Sequence, residues 1–358
     1  MNIKAEVVAD SKGIYGDRLT SLVLTYPRII HSEMMTHRMF SRNASSSRAV
    51  PVDKMIKAVR ENTFCPFEFQ KSHKGMQGTE YFTGIERQEC INLWLESAEL
   101  ALQQAEKMKA KGISKQIINR ILEPYQYYTV LITGSEEAWN NFFSLRCPQY
   151  EYINHGKKGY CKSWKDYIKV GAEILDKEDF EMTKCWEADI LDKLKVNKGQ
   201  AEIHMMALSE KIYDAMNESV PEQLSEGMWH IPFMSRIDSS KLQSVKGIDV
   251  TKEMIKISTA MAARTSYTVV GDEKEVDYSK MIELHDRLIE MRHDSTLEHC
   301  ARAMSDDEYE TYIKGKCNYY QMTTNLRPLL PDDENYGWCN NFKGFIPYRY
   351  LLESQLKK

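Results

Sequence analysis

The spacing of apolar residues changes period several times along the chain. Residues 19–26, L-T-S-L-V-L-T-Y, are apolar and β-branched and predict a strand. Pro27 suits the start of a helix that carries Ile29, Ile30 and Met34. The small polar run 41–49 predicts a loop, closed by Val50 and Pro51. Residues 85–111 form the clearest helical pattern, with Leu95, Ala98, Leu102 and Ala105 at helical spacing and Gly112 at the end. A second helix is expected after Ser114, through Ile117, Ile118, Ile121 and Leu122, stopping before Pro124. Ser135 is placed to cap a third, which brings Glu136 and Glu137 into its first turn and carries Trp139, Asn141, Phe142 and Arg146. A fourth covers about 200–217, with Met205, Leu208, Ile212 and Met216 on one face, and two more lie near 252–264 and 279–292.

Between the third and fourth helices, 147–198 is rich in Tyr and Trp and reads as an insertion with its own small helices. Residues 218–250 read as a connector, and 301–358, punctuated by Pro328, Pro331, Gly337, Gly344 and Pro347, as an irregular C-terminal segment packing on the same domain. There is no internal repeat.

Composition narrows the classes. The chain has 358 residues, 42% hydrophobic and 28% charged, as in a soluble globular protein. Lys and Arg number 48 against 52 Asp and Glu, and no block of one sign supports binding to nucleic acid. Neither an export signal nor an apolar run of membrane-spanning length is evident, so a cytoplasmic location is expected, with the eight scattered cysteines as reduced thiols. No C-x-x-C pair occurs.

Four stretches carry candidate chemistry. The densest is 36–48, T-H-R-M-F-S-R-N-A-S-S-S-R, where basic side chains alternate with hydroxyl and amide groups. Such a loop fits an anion-binding site and equally a solvated basic loop. The second, H-D-S-T-L-E-H at 293–299, fits a capped helix end, a cofactor site or a metal site; its histidines are six residues apart, too far for one helical face. The third is a pair of arginines, Arg120 and Arg146, on otherwise apolar helices, each either snorkelling at the surface, half of an ion pair, or held in a substrate pocket. The fourth, A-A-R-T-S-Y at 262–267, is by itself an ordinary helix terminus.

Together these stretches resemble the flavin-dependent thymidylate synthase family. The family signature R-H-R-x-x-S-x-N-x-x-S-x-R is matched at His37, Arg38, Ser41, Asn43, Ser46 and Arg48, with Thr36 in place of the first arginine. G-I-S-K-Q-I-I-N-R-I-L-E-P resembles the segment whose arginine contacts uracil, which falls on Arg120. N-N-F-F-S-L-R resembles the next, with Asn141 on the flavin side and Arg146 as the substrate-activating arginine. Q-A-E-I at 200–203 resembles the helix that follows. The A-A-R-x-S and H-x-S-x-x-E-H motifs normally come first and here stand near the end, so the motif order is circularly permuted. The resemblance covers about 19–146, 199–217 and 255–300.

The resemblance implies an α+β fold, an antiparallel sheet flanked by long helices. Its catalytic domain would be made from 1–146 and 199–300, with 147–198 inserted as a helical element. It implies transfer of a one-carbon unit from methylenetetrahydrofolate to C5 of dUMP, with FAD as cofactor and NADPH as reductant, in a homotetramer with shared active sites. It places His37, Arg38, Ser41, Asn43, Asn141, Ser266, Ser295 and Glu298 on the cofactor and Ser46, Arg48, Arg120 and Glu33 on the nucleotide. Arg146 and His293 would be catalytic, with no metal and no cysteine nucleophile. Glu33 stands where many members have Gln, and Ala44 where they have Glu. The rival readings are a hydroxymethylase acting on dUMP or dCMP for modified DNA, a non-catalytic flavin- or nucleotide-binding protein, and a metal hydrolase built on His293 and His299.

Overall fold

The structure, a computed structural model, describes residues 2–74, 78, 80–154, 157–174, 192, 194–195, 197, 201–243, 249–267, 277–312 and 336–356. The expectation for Gln200 falls outside them, as do Cys185 and Cys317.

The chain is α+β. Its centre is a sheet in which β1 (Lys4–Lys12), β2 (Arg18–Pro27), β3 (Ser41–Ala44) and β4 (Tyr127–Ser135) take the order β3-β4-β2-β1, each pair antiparallel. β2 forms as its β-branched run predicts. The other strands depend on it. β1 is polar on alternate positions and pairs with β2 through a tight turn at Gly13–Asp17, where Gly16 has φ 86°. β3 corrects the loop expected at 41–49: Ser41, Arg42, Asn43 and Ala44 pair with Thr133, Ile132, Leu131 and Val130. Small polar residues there hide a strand whose partners lie far away in sequence.

Alternation sends Leu22, Leu24, Tyr26, Val130 and Ile132 to one face of this sheet. They pack against Trp139, Phe142 and Phe143 of the helix Glu136–Arg146 and Met205 and Leu208 of the helix Ile203–Glu218, nearly all fully buried. The helix Gly84–Ala110 buries Ala98, Leu102 and Ala105 against the short helix Val52–Glu61 and the turn after Lys115–Ile118. Pro124 does not stop that second helix; it lies inside a 3-10 turn spanning Asn119–Tyr125. Ser135 stands at the N-terminus of the third helix but makes no cap bond; its hydroxyl donates to Asn341 instead.

The insertion is not purely helical: β5 (Tyr150–Asn154) and β6 (Lys157–Cys161) form a hairpin before the helix Trp164–Ile174. β7 (Glu222–Gln223) extends the central sheet in parallel with β1, and β8 (Trp229–His230) begins a second sheet. The C-terminal segment is more ordered than its turn residues suggest. β9 (Ala301–Ala303) pairs with β8, β10 (Trp338–Cys339) with β11 (Phe342–Lys343), and β12 (Phe345–Pro347) with β9, and a helix, Tyr348–Leu356, closes the chain. Ala301, Ala303, Phe342 and Phe345 share a core with Leu19 and Leu224, so this segment is part of the same body. No helix among the described residues is long and apolar enough to cross a membrane.

Candidate functional site

Three of the four candidate stretches, 36–48, 262–267 and 293–299, meet at β3. The Asn43 amide donates to the Ala262 carbonyl at 3.3 Å, the Ser46 backbone N–H donates to the Ser266 carbonyl at 3.0 Å, and the Ser45 hydroxyl reaches the Thr265 carbonyl at 3.5 Å. The turn Asp294–Glu298 packs against the same strand. Residues 294–298 therefore lie beside 41–44 within one chain, although some 250 positions separate them in sequence.

Arg146 is held on the other side of this loop. Its Nε donates to His37 Nε2 at 3.0 Å, Nη1 to Glu33 at 3.2 Å and Nη2 to the Thr36 hydroxyl at 3.4 Å. Ser209 donates to its carbonyl at 2.8 Å. Burial, reinforced by the Arg146 and Arg42 charges, pushes the His37 imidazole down to about 4, so it is neutral at neutral pH and its Nε2 accepts. Burial raises the Glu33 carboxyl, Arg146 opposing and Glu202 adding to the rise. These groups border a cavity of about 150 Å³ lined by Thr36, His37, Arg38, Phe40, Asn141 and Arg146, among others. Gly134 is needed there, because a Cβ would lie 2.5 Å from the Phe40 ring.

The residues expected at the nucleotide divide. Arg48 is exposed, and Arg120 is exposed and paired with Glu123 at 3.3 Å. Glu123, which the sequence reading passed over, also accepts from the Ser47 hydroxyl at 2.6 Å and faces Arg28 at 3.5 Å. It gathers the charge of this corner around one carboxylate. Asn119 holds the loop by donating to the Ser47 and Val50 carbonyls at 2.7 and 2.9 Å.

The cofactor set also divides. Arg38 and Asn141 are exposed at the cavity, whereas Ser41 and Asn43 are buried on β3 itself. Ser266 and Ser295 are half-buried and His293 is exposed, just after Arg292, whose left-handed φ of 52° marks the turn out of the helix Tyr278–Glu290. Glu298 is not a free acceptor: Arg349 donates to it at 2.6 Å and faces Asp294 at 3.4 Å. Arg349 lies in the tail, and nothing in its sequence surroundings singled it out.

His299 lies apart from His293, fully buried, which separates the two histidines of the metal reading. Among the described residues no three His, Cys, Asp or Glu side chains converge as a metal site. Instead His299 ends a buried polar chain. Ser11 Oγ contacts His230 Nδ1 at 2.8 Å, His230 Nε2 contacts Ser21 at 2.8 Å, Ser21 contacts Thr133 at 2.6 Å, and Thr133 contacts His299 Nδ1 at 2.8 Å. Burial lowers both imidazoles to about 3. Burial pushes the thiols of Cys147, Cys161, Cys300 and Cys339 up to between about 11 and about 12 and raises that of Cys65, so none of these five is an activated nucleophile.

No family model matches the sequence, and no curated protein matches it. Solved structures similar to part of the chain include two crystal structures of a UMP/dUMP methylase PolB from Streptomyces cacaoi. The one bound with 5-Br dUMP has 13% identity and a TM-score of 0.33, covering 52% of this chain and 95% of that one. The one bound with 5-Br UMP has 16% identity and a TM-score of 0.34, with the same coverage. Likeness at this level carries no assignment.

Proposed function

We propose that this protein is a flavin-dependent enzyme of the thymidylate synthase type, moving a one-carbon unit from methylenetetrahydrofolate to C5 of dUMP. The observation that carries the reading is the meeting of three sequence-distant motif stretches at β3, with Arg146 and a neutral His37 at one neighbouring cavity.

The residues suit a flavin in kind. Arg38 and Asn141 offer exposed donors at the cavity, and Ser266, Ser295 and His293 offer more beyond β3. At about 150 Å³ the cavity admits a ring and not a whole dinucleotide, so the rest of an FAD would lie outside it. When bound, reduced FAD would supply the carbon relay and the hydride, with NADPH as the reductant. The chain's own part is electrostatic. Arg146, aimed by His37 and Glu33, stabilises negative charge developing on a pyrimidine carbonyl, and its semi-dry setting strengthens that effect. Neutral His37 orients the guanidinium without adding a competing positive charge. Ser46 and Arg48 would face the nucleotide, and Arg120 its uracil. A homotetramer with shared sites belongs to the same reading, and so does folate as the second substrate.

One observation favours a second reading at the last step. Glu33 is a carboxyl with a raised pKa beside the activating arginine, and such a group suits water activation or an amino-pyrimidine. That would make the product hydroxymethyl, or the substrate dCMP. The cofactor half is tested by FAD titration of the wild type, His293→Ala and Ser295→Ala. Weakened retention with intact folding in both variants is expected; full flavin occupancy in both removes the 293–299 segment from the cofactor site.

A further inference from the structure

The C-terminal hairpin touches both walls of the His37–Arg146 cavity. β10 and β11 are joined by Asn340, in the left-handed region at φ 54°, and Asn341. Phe342, fully buried beside Leu19 and Phe345, anchors the hairpin at the end of β2. From that anchor Asn341 Nδ2 donates to the Arg38 carbonyl at 3.1 Å, in the 36–40 wall. The Ser135 hydroxyl donates to the Asn341 carbonyl at 3.1 Å, and Lys343 pairs with Glu137 at 3.3 Å and Asp17 at 3.5 Å. Ser135 and Glu137 begin the helix whose Ala138, Asn141 and Arg146 form the opposite wall. Ser135 gives up its helix-capping role to make this contact.

We propose that the hairpin Trp338–Lys343 is a clasp that keeps the two walls of this cavity in register, with Asn341 as its positioning residue. Arg146 ties the walls at the far end of the helix through His37, Glu33 and Thr36. An arginine that turns toward a ligand loosens that tie, and the spacing is then held by the hairpin together with the packing of His37 and Phe40 on Trp139 and Phe142. Asn341 is exposed, so its replacement leaves the core packing intact. The clasp rests on geometry; the ligand arm of its test rests on the flavin and dUMP reading.

The test compares the full chain with Asn341→Ala, Asn341→Asp and Lys343→Ala by amide hydrogen exchange, thermal melting and titration with FAD and with dUMP. Asn341→Ala removes the bond to the Arg38 carbonyl while its own backbone carbonyl keeps the Ser135 contact, so it is expected to speed exchange at residues 38–41 by about fivefold to tenfold, the scale of one hydrogen bond, and to leave 137–142 little changed. It should weaken ligand binding by a similar factor and leave exchange in β2 and the melting temperature unchanged. Asn341→Asp keeps the shape but loses the donor and should behave like Ala. Lys343→Ala should speed exchange in the helix wall at 137–142 and in the Gly13–Asp17 turn, and leave 38–41 unchanged. Unchanged exchange at 38–41 in Asn341→Ala, unchanged exchange at 137–142 in Lys343→Ala, or an equal rise throughout the central sheet, overturns the clasp. A wild type that binds neither FAD nor dUMP overturns the functional reading, while the exchange arm still decides the clasp.

Discussion

The two faces of the central sheet solve different problems. One carries Leu22, Leu24, Tyr26, Val130 and Ile132 into a dry core of aromatic and methionine side chains. The other, made by the alternate residues of the same strands, carries Ser21, Thr133, Ser41 and Asn43 among the apolar Leu19, Val23 and Leu131, and receives His230 from the second sheet and His299 from the turn before it. The first face is non-directional and tolerates any well-packed apolar set. The second is directional: each hydroxyl and imidazole has one place to go, so it fixes where the 262–267 and 293–299 segments dock. Stability comes mainly from the first face and register from the second.

The largest test of this contrast is Phe142→Ala. Phe142 is fully buried against Trp139, Phe40 and the His37 ring, so its loss should cost about 3–5 kcal/mol in denaturant unfolding. A loss below about 1 kcal/mol would mean that the apolar face is not the stabilising one.

The polar face should show itself in pH. His230 and His299 are held near pKa 3, below the unfolded value of about 6.5. The unfolded chain therefore takes up protons that the native one refuses. Their contribution is whole above about pH 6.5 and is lost as pH falls from there toward 3. Stability measured over that range should decline less steeply in His230→Gln than in the wild type. Equal slopes would place the two imidazoles outside the linkage. Smallest of all is Cys147→Ser, which should keep most of the turnover, because its thiol is buried and pushed up to about 12. Abolished turnover in a folded variant would point to a cysteine mechanism.

The same contrast explains what the sequence made legible. The strand at 19–26 and the helices at 84–110, 136–146 and 203–218 were readable because packing alone dictates them. β1 and β3 were not, since their polar residues answer to partners elsewhere: Asn43 to Ala262, and Ser11 to His230. The motif residues were singled out by type and spacing. Glu123, Arg349 and Asn341 were not, because each is an ordinary residue whose role depends on what the fold brings to it. Ser135 shows the reverse case, a good cap by sequence that long-range geometry redirects.

The most direct test of the central claim is the mass of the product. Purified protein is incubated with FAD, NADPH, methylenetetrahydrofolate and either dUMP or dCMP. The account predicts conversion of dUMP to a nucleotide with the mass of dTMP, dependent on FAD and reduced on the order of 10²–10³ in kcat by Arg146→Ala. No flavin-dependent product from dUMP, a product one oxygen heavier than dTMP, or turnover of dCMP alone would contradict it, and the last two would make Glu33 the residue to change first.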